Sequence, residues 1–199
     1  MAVASRLGFR FVDTGAMYRA MTWLALERGV DVDDADALAA LARGTHMRVV
    51  SGPAGTGVFV DGTDATPHLR DPDVEASVSQ VSRVPAVRAA LVEIQRELAR
   101  EGRLIMAGRD IGSVVLPNAD LKVYLDASPG VRAERRARQL AESGETEEVA
   151  QLTAEIERRD QIDSTREASP LTVPPDAVII NTDELTLDQV VAQILELAA

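Results

Sequence analysis

Asp13-Thr-Gly-Ala-Met-Tyr-Arg19, Gly108-Arg-Asp-Ile-Gly112 and the trio Arg132, Arg135 and Arg136 are the stretches whose residue types could do chemistry. The first two each follow a short apolar run. They therefore read as loops at the carboxyl ends of buried strands, where open α/β sheets bind ligands. In the second loop, two glycines let the backbone bend towards a ligand, while Arg109 and Asp110 set opposite charges side by side. Taken singly, each loop is also consistent with a plain strand-to-helix turn, with Thr14 as a cap, Arg19 in solvent and Arg109–Asp110 as a surface ion pair of little worth. Taken together, they point to one anionic, hydrogen-bonding ligand.

Arg132, Arg135 and Arg136 stand at i, i+3 and i+4, which puts three guanidinium groups on one helical face. Such a run is usually a solvated charged face, which nearby Glu134 suits; against that, like charges at this spacing repel unless an anion sits among them. A second basic set, Arg158, Arg159 and Arg166, is interleaved with Asp160 and Asp163 and runs on to Ser169-Pro-Leu. Two arginine sets flanking one helical hairpin suit a lid over phosphates. Of 21 basic residues only Lys122 is a lysine, and it falls in an expected strand. Any anion must therefore be held by guanidinium forks or backbone amides. Gly52-Pro-Ala-Gly-Thr-Gly57 imitates the glycine spacing of a phosphate loop, but Val58 and Phe59 occupy the positions that need Lys and Ser or Thr. It also falls between hairpin strands, so it reads as a turn.

The elements that must position these side chains follow from apolar pattern. Phe9 to Asp13, Arg103 to Ala107, Leu121 to Asp126 and Ala177 to Asn181 read as buried parallel strands separated by helices, the signature of an α/β layer fold. Gly15 to Arg28 is helical, with Met17, Met21, Leu24 and Leu26 on or near one stripe. Ser128-Pro129 starts a helix, Thr146 another towards Asp163, and Thr186 to Gln189 is a capping box opening a closing helix. Met47 to about Pro67 alternates with period two around glycines, as an antiparallel hairpin inserted into the βα alternation would. Ser77 to Leu98 reads as one or two helices with a break at Pro85. Ala2 to Leu7, closed by Gly8, resembles the last turns of a helix that feeds a strand.

Composition excludes several classes. The 199 residues are 46% hydrophobic, enough for a core in one domain. With no cysteine, disulfides, thiol catalysis and cysteine-held metals are out. His46 and His68 lack ligand spacing, so no metal site is expected. A net charge of −11 with 3% aromatic residues argues against a nucleic-acid surface. No run reaches the 18 apolar residues of a membrane span, so the chain reads as soluble and cytoplasmic.

The ordered set of the two loops, Tyr124-Leu-Asp-Ala-Ser128 with its Arg-x-x-Arg-Arg, and Arg159-Asp-x-x-Asp-x-x-Arg166 with Ser-Pro-Leu171 resembles bacterial cytidylate kinases over essentially the whole chain. The resemblance implies a P-loop nucleoside monophosphate kinase-like α/β fold: a parallel sheet flanked by helices, an inserted antiparallel lobe and a helical lid. It implies one kinase domain over 1–199, with core 1–45 and 99–199, a nucleotide-monophosphate insert at about 46–98 and a lid at about 129–166. The implied activity moves the γ-phosphoryl group of ATP, with Mg²⁺, to CMP or dCMP. Arg19, Arg109 and Arg166 would grip the CMP phosphate, with Thr14 beside them. Ser79, Arg88 and Asp110 would read cytosine, and Asp163 would accept from the ribose hydroxyls with Arg159 nearby. Arg132, Arg135 and Arg136 would close over the ATP phosphates; with Arg109 and Arg159 they would form the catalytic set. A monomer is expected, with no nucleic-acid or membrane partner.

Two departures stand out. Ala107 occupies a position where some members carry an acid. The family opens on a strand, a Gly-x-x-x-x-Gly-Lys-Ser/Thr loop and a helix, and these 199 residues contain no such loop. Met1 is therefore expected to be an internal or mis-assigned start, with the family's central strand upstream. Another small-molecule or nucleotide kinase, or a non-catalytic CMP-binding fragment, is the alternative.

Overall fold

In a computed structural model, the structure describes residues 1–52, 55–142, 144–165 and 169–198. It divides into two compact units, one spanning Met1–Pro117 and the other beginning at Asn118.

In the first unit, Ala2–Leu7 (α1) ends on Gly8, whose φ of 65° and ψ of 32° form the left-handed stop that the sequence suggests. Arg10–Asp13 (β1) follows, then Thr14–Glu27 (α2) and Ala35–Gly44 (α3). β1 pairs in parallel with Leu104–Ala107 (β5), in a register running from Arg10 opposite Leu104 to Asp13 opposite Ala107. The two strands therefore end level, and the loops after Asp13 and Ala107 leave the same edge side by side.

α2 is not the one-sided helix expected from its stripe. Ala16 to Thr22, Leu24 and Ala25 are all buried, so the helix runs through the core with cover all round. That position is what takes Arg19 out of solvent. Met47–Gly52 (β2) and Gly55–Val60 (β3) form the expected antiparallel hairpin, with Met47, Val58 and Val60 in the core. Asp61 and Gly62, with φ of 50° and 86°, make the tight turn into Thr63–Asp64 (β4), the geometry that favours Asp-Gly.

Pro72–Arg83 (α4) begins five residues before the expected helical start, because Pro72 suits a first helical position. Pro85 opens the next helix, Pro85–Arg100 (α5), at the anticipated break. α3 lies outside the helices expected from the sequence. Its signal was the N-cap Asp34, which accepts from Ala37 N–H at 2.9 Å, followed by Leu38, Leu41 and Ala42 on one buried face.

In the second unit, Val123–Asp126 (β6) pairs in parallel with Val178–Asn181 (β7). Lys122 lies one residue before β6 rather than within it, and its ammonium donates to Asp176. Pro129–Glu142 (α6) and Val149–Thr165 (α7) pack through Ala133, Leu140 and Leu152. α7 starts three residues after Thr146: its first turn is closed by Leu152 N–H donating to the Glu148 carbonyl. Leu187–Leu197 (α8) opens with both halves of the Thr186–Gln189 capping box formed.

Two stability consequences follow for the first unit. The His46 amide donates to Asp61 Oδ1 at 2.8 Å and Arg28 donates to Oδ2 at 2.6 Å; the amide hydrogen bond first, then the Arg28 guanidinium, hold this carboxyl below its ordinary pKa. A depressed folded pKa contributes stability above the unfolded value and loses it as pH falls through the folded one. Asp61→Asn should therefore lower Tm at neutral pH and flatten the loss of Tm below about pH 4; parallel wild-type and variant Tm–pH curves would contradict this. Gln95, 1% exposed on α5, has no partner for its Nε2. An unpaired buried amide costs about 1–3 kcal/mol, so Gln95→Met, close in shape, should raise Tm by about 2–4 °C. A calorimetric Tm unchanged or lowered would count against that.

Candidate active site

Asp13 closes β1 and caps α2: its Oδ1 accepts from the Gly15 amide at 2.9 Å. Thr14 is thus the first helical residue and not the cap. Its side chain is buried, and the hydroxyl donates across to the Ala107 carbonyl at 3.0 Å. This bond ties the two loops together where the strands end. It also explains Gly108, because a Cβ there would sit 2.3 Å from Thr14 Oγ1 and 2.9 Å from Ile111 Cδ1. Only a glycine lets the second loop pass so close.

Arg19 lies one turn into α2 and is buried. Its Nη2 donates to Asp13 Oδ2 at 3.0 Å. The guanidinium folds back over Gly15, where a Cβ would meet Asp13 Oδ1 at 3.0 Å and Arg19 Nη1 at 3.2 Å. Asp110 does not pair with its neighbour Arg109. It is buried and takes Arg88 Nη2 from α5 in a tight ion pair. Arg88 Nη1 donates to the Ser82 carbonyl at 3.0 Å, its carbon lies 5.2 Å above the Tyr18 ring, and its Nε has no partner. Arg109 is half-buried. Ser79 is half-buried on α4, and its carbonyl accepts from Ser82 Oγ.

The first unit thus draws together Thr14 with the Ala107–Gly108 turn, Arg19 with Asp13, and Arg88 with Asp110 and Tyr18. Asp13 and Tyr18 were not among the expected site residues. The available signal for Asp13 was an acid at a strand end two residues before a glycine, the pattern of a helix cap that can also hold a cation.

In the second unit the arginine trio separates. Arg132 donates to the Ala127 carbonyl at 3.1 Å and pairs with Asp160 across the α6–α7 hairpin. Arg135 turns the other way, to the Thr182 hydroxyl at 3.0 Å and the Thr182 carbonyl. Arg136 and Arg159 make no hydrogen bond or ion pair among the described residues and remain available to an anion. Asp163 is buried, and its carbonyl accepts from the Leu171 amide at 2.8 Å. Arg166 lies outside the described residues. No group of three acidic or histidine side chains that could hold a metal ion occurs among the described residues.

A family model described as cytidylate kinase matches residues 1–199. The chain belongs to the cytidylate kinase family. A cytidylate kinase of Rhodococcus opacus (strain B4) is 47% identical over 97% of this chain and 85% of its own length. One from Geobacillus sp. (strain WCH70) is 44% identical over 98% and 87%. A bifunctional pantoate ligase/cytidylate kinase of Synechococcus sp. (strain JA-3-3Ab) is 47% identical over 98% of this chain, which spans 37% of that longer protein.

The buried pair is the energetic weak point of this cytidylate kinase family site. Removing one member of a buried ion pair strands the other charge and costs about 3–5 kcal/mol. Asp110→Ala should lower the denaturation free energy by about that much, whereas half-exposed Arg109→Ala should stay within about 0.5 kcal/mol. Urea midpoints at equal slope measure both, and equal effects would contradict the asymmetry.

Proposed function

We propose that this chain transfers the γ-phosphoryl group of ATP to CMP or dCMP, giving the diphosphate and ADP. The buried Arg88–Asp110 pair, set among the substrate loops of a cytidylate kinase family chain, is the observation that carries the reading. Cytosine offers acceptors at O2 and N3 and a donor at N4. Arg88 and Ser79 answer the acceptors, and the Asp110 carboxylate takes the amino group. Uracil reverses the pattern at N3 and C4 and leaves a buried polar group mispaired, which such a site rejects strongly.

Arg19, Arg109 and Arg166 bind the CMP phosphate, with Thr14 holding the loop beside it. Asp163 accepts from the ribose hydroxyls, with Arg159 near the nucleotide. Arg132, Arg135 and Arg136 bind the ATP phosphates; Arg132 and Arg135 exchange their present protein partners for phosphate oxygens. A CMP phosphate oxygen bonds to the γ-phosphorus as the bridge to the β-phosphate breaks. The guanidinium groups stabilise charge spread over the transferring oxygens, so that positioning and neutralisation carry the rate. Residues 46–98 form the nucleotide-monophosphate insert and 129–166 the lid of one kinase domain. Among the described residues no group of three acidic or histidine side chains fits a protein-held Mg²⁺.

The 199 residues hold no Gly-Lys-Ser/Thr loop that could cradle the ATP β- and γ-phosphates. β5 and β6 each pair on one edge only among the described residues. Leu125 on β6 and Ile179 on β7 are 53% and 59% exposed, unusual for apolar strand residues of a parallel sheet. No helix among the described residues is long and apolar enough to cross a membrane.

The test is a substrate panel of CMP, dCMP, UMP and AMP, assayed on the chain as given and on the chain extended by its in-frame upstream codons. The extended wild type should prefer CMP or dCMP, and Asp110→Asn should erode CMP over UMP by roughly 10- to 100-fold. Preference for UMP or AMP would overturn the reading, as would unchanged selectivity in Asp110→Asn. CMP binding without turnover in both chains would favour a non-catalytic CMP-binding protein.

A further inference from the structure

The free edge of β1 is closed by hydroxyls and not by another strand. Ser51 Oγ accepts from the Phe11 amide at 2.9 Å, and Thr56 Oγ1 accepts from the Asp13 amide at 2.8 Å. Ser51 and Thr56 stand directly opposite each other in the inserted hairpin. The Thr56 hydroxyl also reaches the Phe11 carbonyl at 3.5 Å, so one side chain meets two backbone groups of β1. The hairpin thereby fixes the main chain at the residue whose carboxylate spans Gly15 and Arg19.

Each carboxylate oxygen of Asp13 has its own task. Oδ1 caps α2, and Oδ2 holds Nη2 of Arg19, whose side chain is 8% exposed. The remaining donors of a guanidinium lie in the same rigid plane, so fixing one Nη fixes the direction of the others. Gly15 supplies the room for the group to lie across the helix start. A long side chain that must meet a phosphate from a buried position gains from such pre-orientation, because a displacement of about 1 Å can cost on the order of 100-fold.

We propose that Asp13 is a positioning residue that aims Arg19 at the substrate phosphate, and that the inserted hairpin sets Asp13 through the Thr56 hydroxyl. The proposal rests on the CMP reading above for the identity of the phosphate, but not for the orientation of Arg19. Its readout is the advantage of CMP over cytidine, which differ only in the phosphate. Loss of fold lowers both affinities, whereas misaimed Arg19 lowers that for CMP alone.

The experiment is calorimetric titration of the full chain with CMP and with cytidine, together with ¹⁵N NMR of the Arg19 Nε–H, which needs no ligand. Arg19→Ala should abolish the CMP advantage. Asp13→Asn and the gentler Thr56→Val should each reduce it about 10- to 100-fold, and Thr56→Ser, which keeps the hydroxyl, should restore it. Arg19 Nε–H exchange should quicken in Asp13→Asn and Thr56→Val and stay slow in Thr56→Ser. A retained CMP advantage in Asp13→Asn, or equal losses for CMP and cytidine, would overturn the proposal. If wild type ignores CMP, the functional reading fails and the NMR arm alone decides: unchanged Arg19 exchange in Asp13→Asn overturns the positioning role, and quickened exchange supports it.

Discussion

Two parallel strands that stop level with each other set the terms for the first unit. Because Asp13 stands opposite Ala107, both following loops leave one edge, and the Thr14 hydroxyl can bridge to the Ala107 carbonyl. That bridge leaves no room for a side chain at residue 108, so Gly108 is a steric requirement. Slipping the register by one residue would exchange the faces of the whole strand and remove the opposition on which the bridge depends. The charged groups are downstream of this geometry: Arg19 sits six residues beyond the first strand end, and Asp110 three residues beyond the second.

The two units use guanidinium groups differently. In the first, Arg19 and Arg88 are buried and already paired with carboxylates, so each is held in place at the cost of desolvation that its partner offsets. In the second, Arg132 and Arg135 spend their donors on Asp160, Thr182 and main-chain carbonyls, whereas Arg136 and Arg159 are unengaged among the described residues. In the function proposed above, rigid seating would suit recognition of a fixed base and phosphate, and exchangeable partners would suit groups that let product leave.

Much of this was legible in the sequence because the relevant signals are local. The strands after which the two loops fall, the Gly8 stop, the break at Pro85 and the Thr186–Gln189 box all follow from short-range chemistry. What escaped was set by tertiary placement. The α2 stripe promised a helix with a wet face, but the surrounding helices and hairpin cover it throughout, which is why Arg19 is buried. Adjacent charges at Arg109 and Asp110 leave a local pair open, and only the family resemblance sets Arg88 with Asp110; a buried carboxylate takes the partner that can be buried with it, and Arg88 comes from 22 positions away. The role of Asp13 is not legible in the sequence, because a cap and a cation holder look alike until the side chain's two oxygens are traced.

The way β1 ends its hydrogen-bonding also bears on whether this margin can recruit a further strand. A bare strand margin is an invitation for a second copy to add its own strand. Here two short alcohol side chains occupy those amides, and they do so without extending the sheet, so the margin offers no further row of donors and acceptors to copy. At this margin, resistance to strand addition is in this way built from the same few atoms that brace the loop.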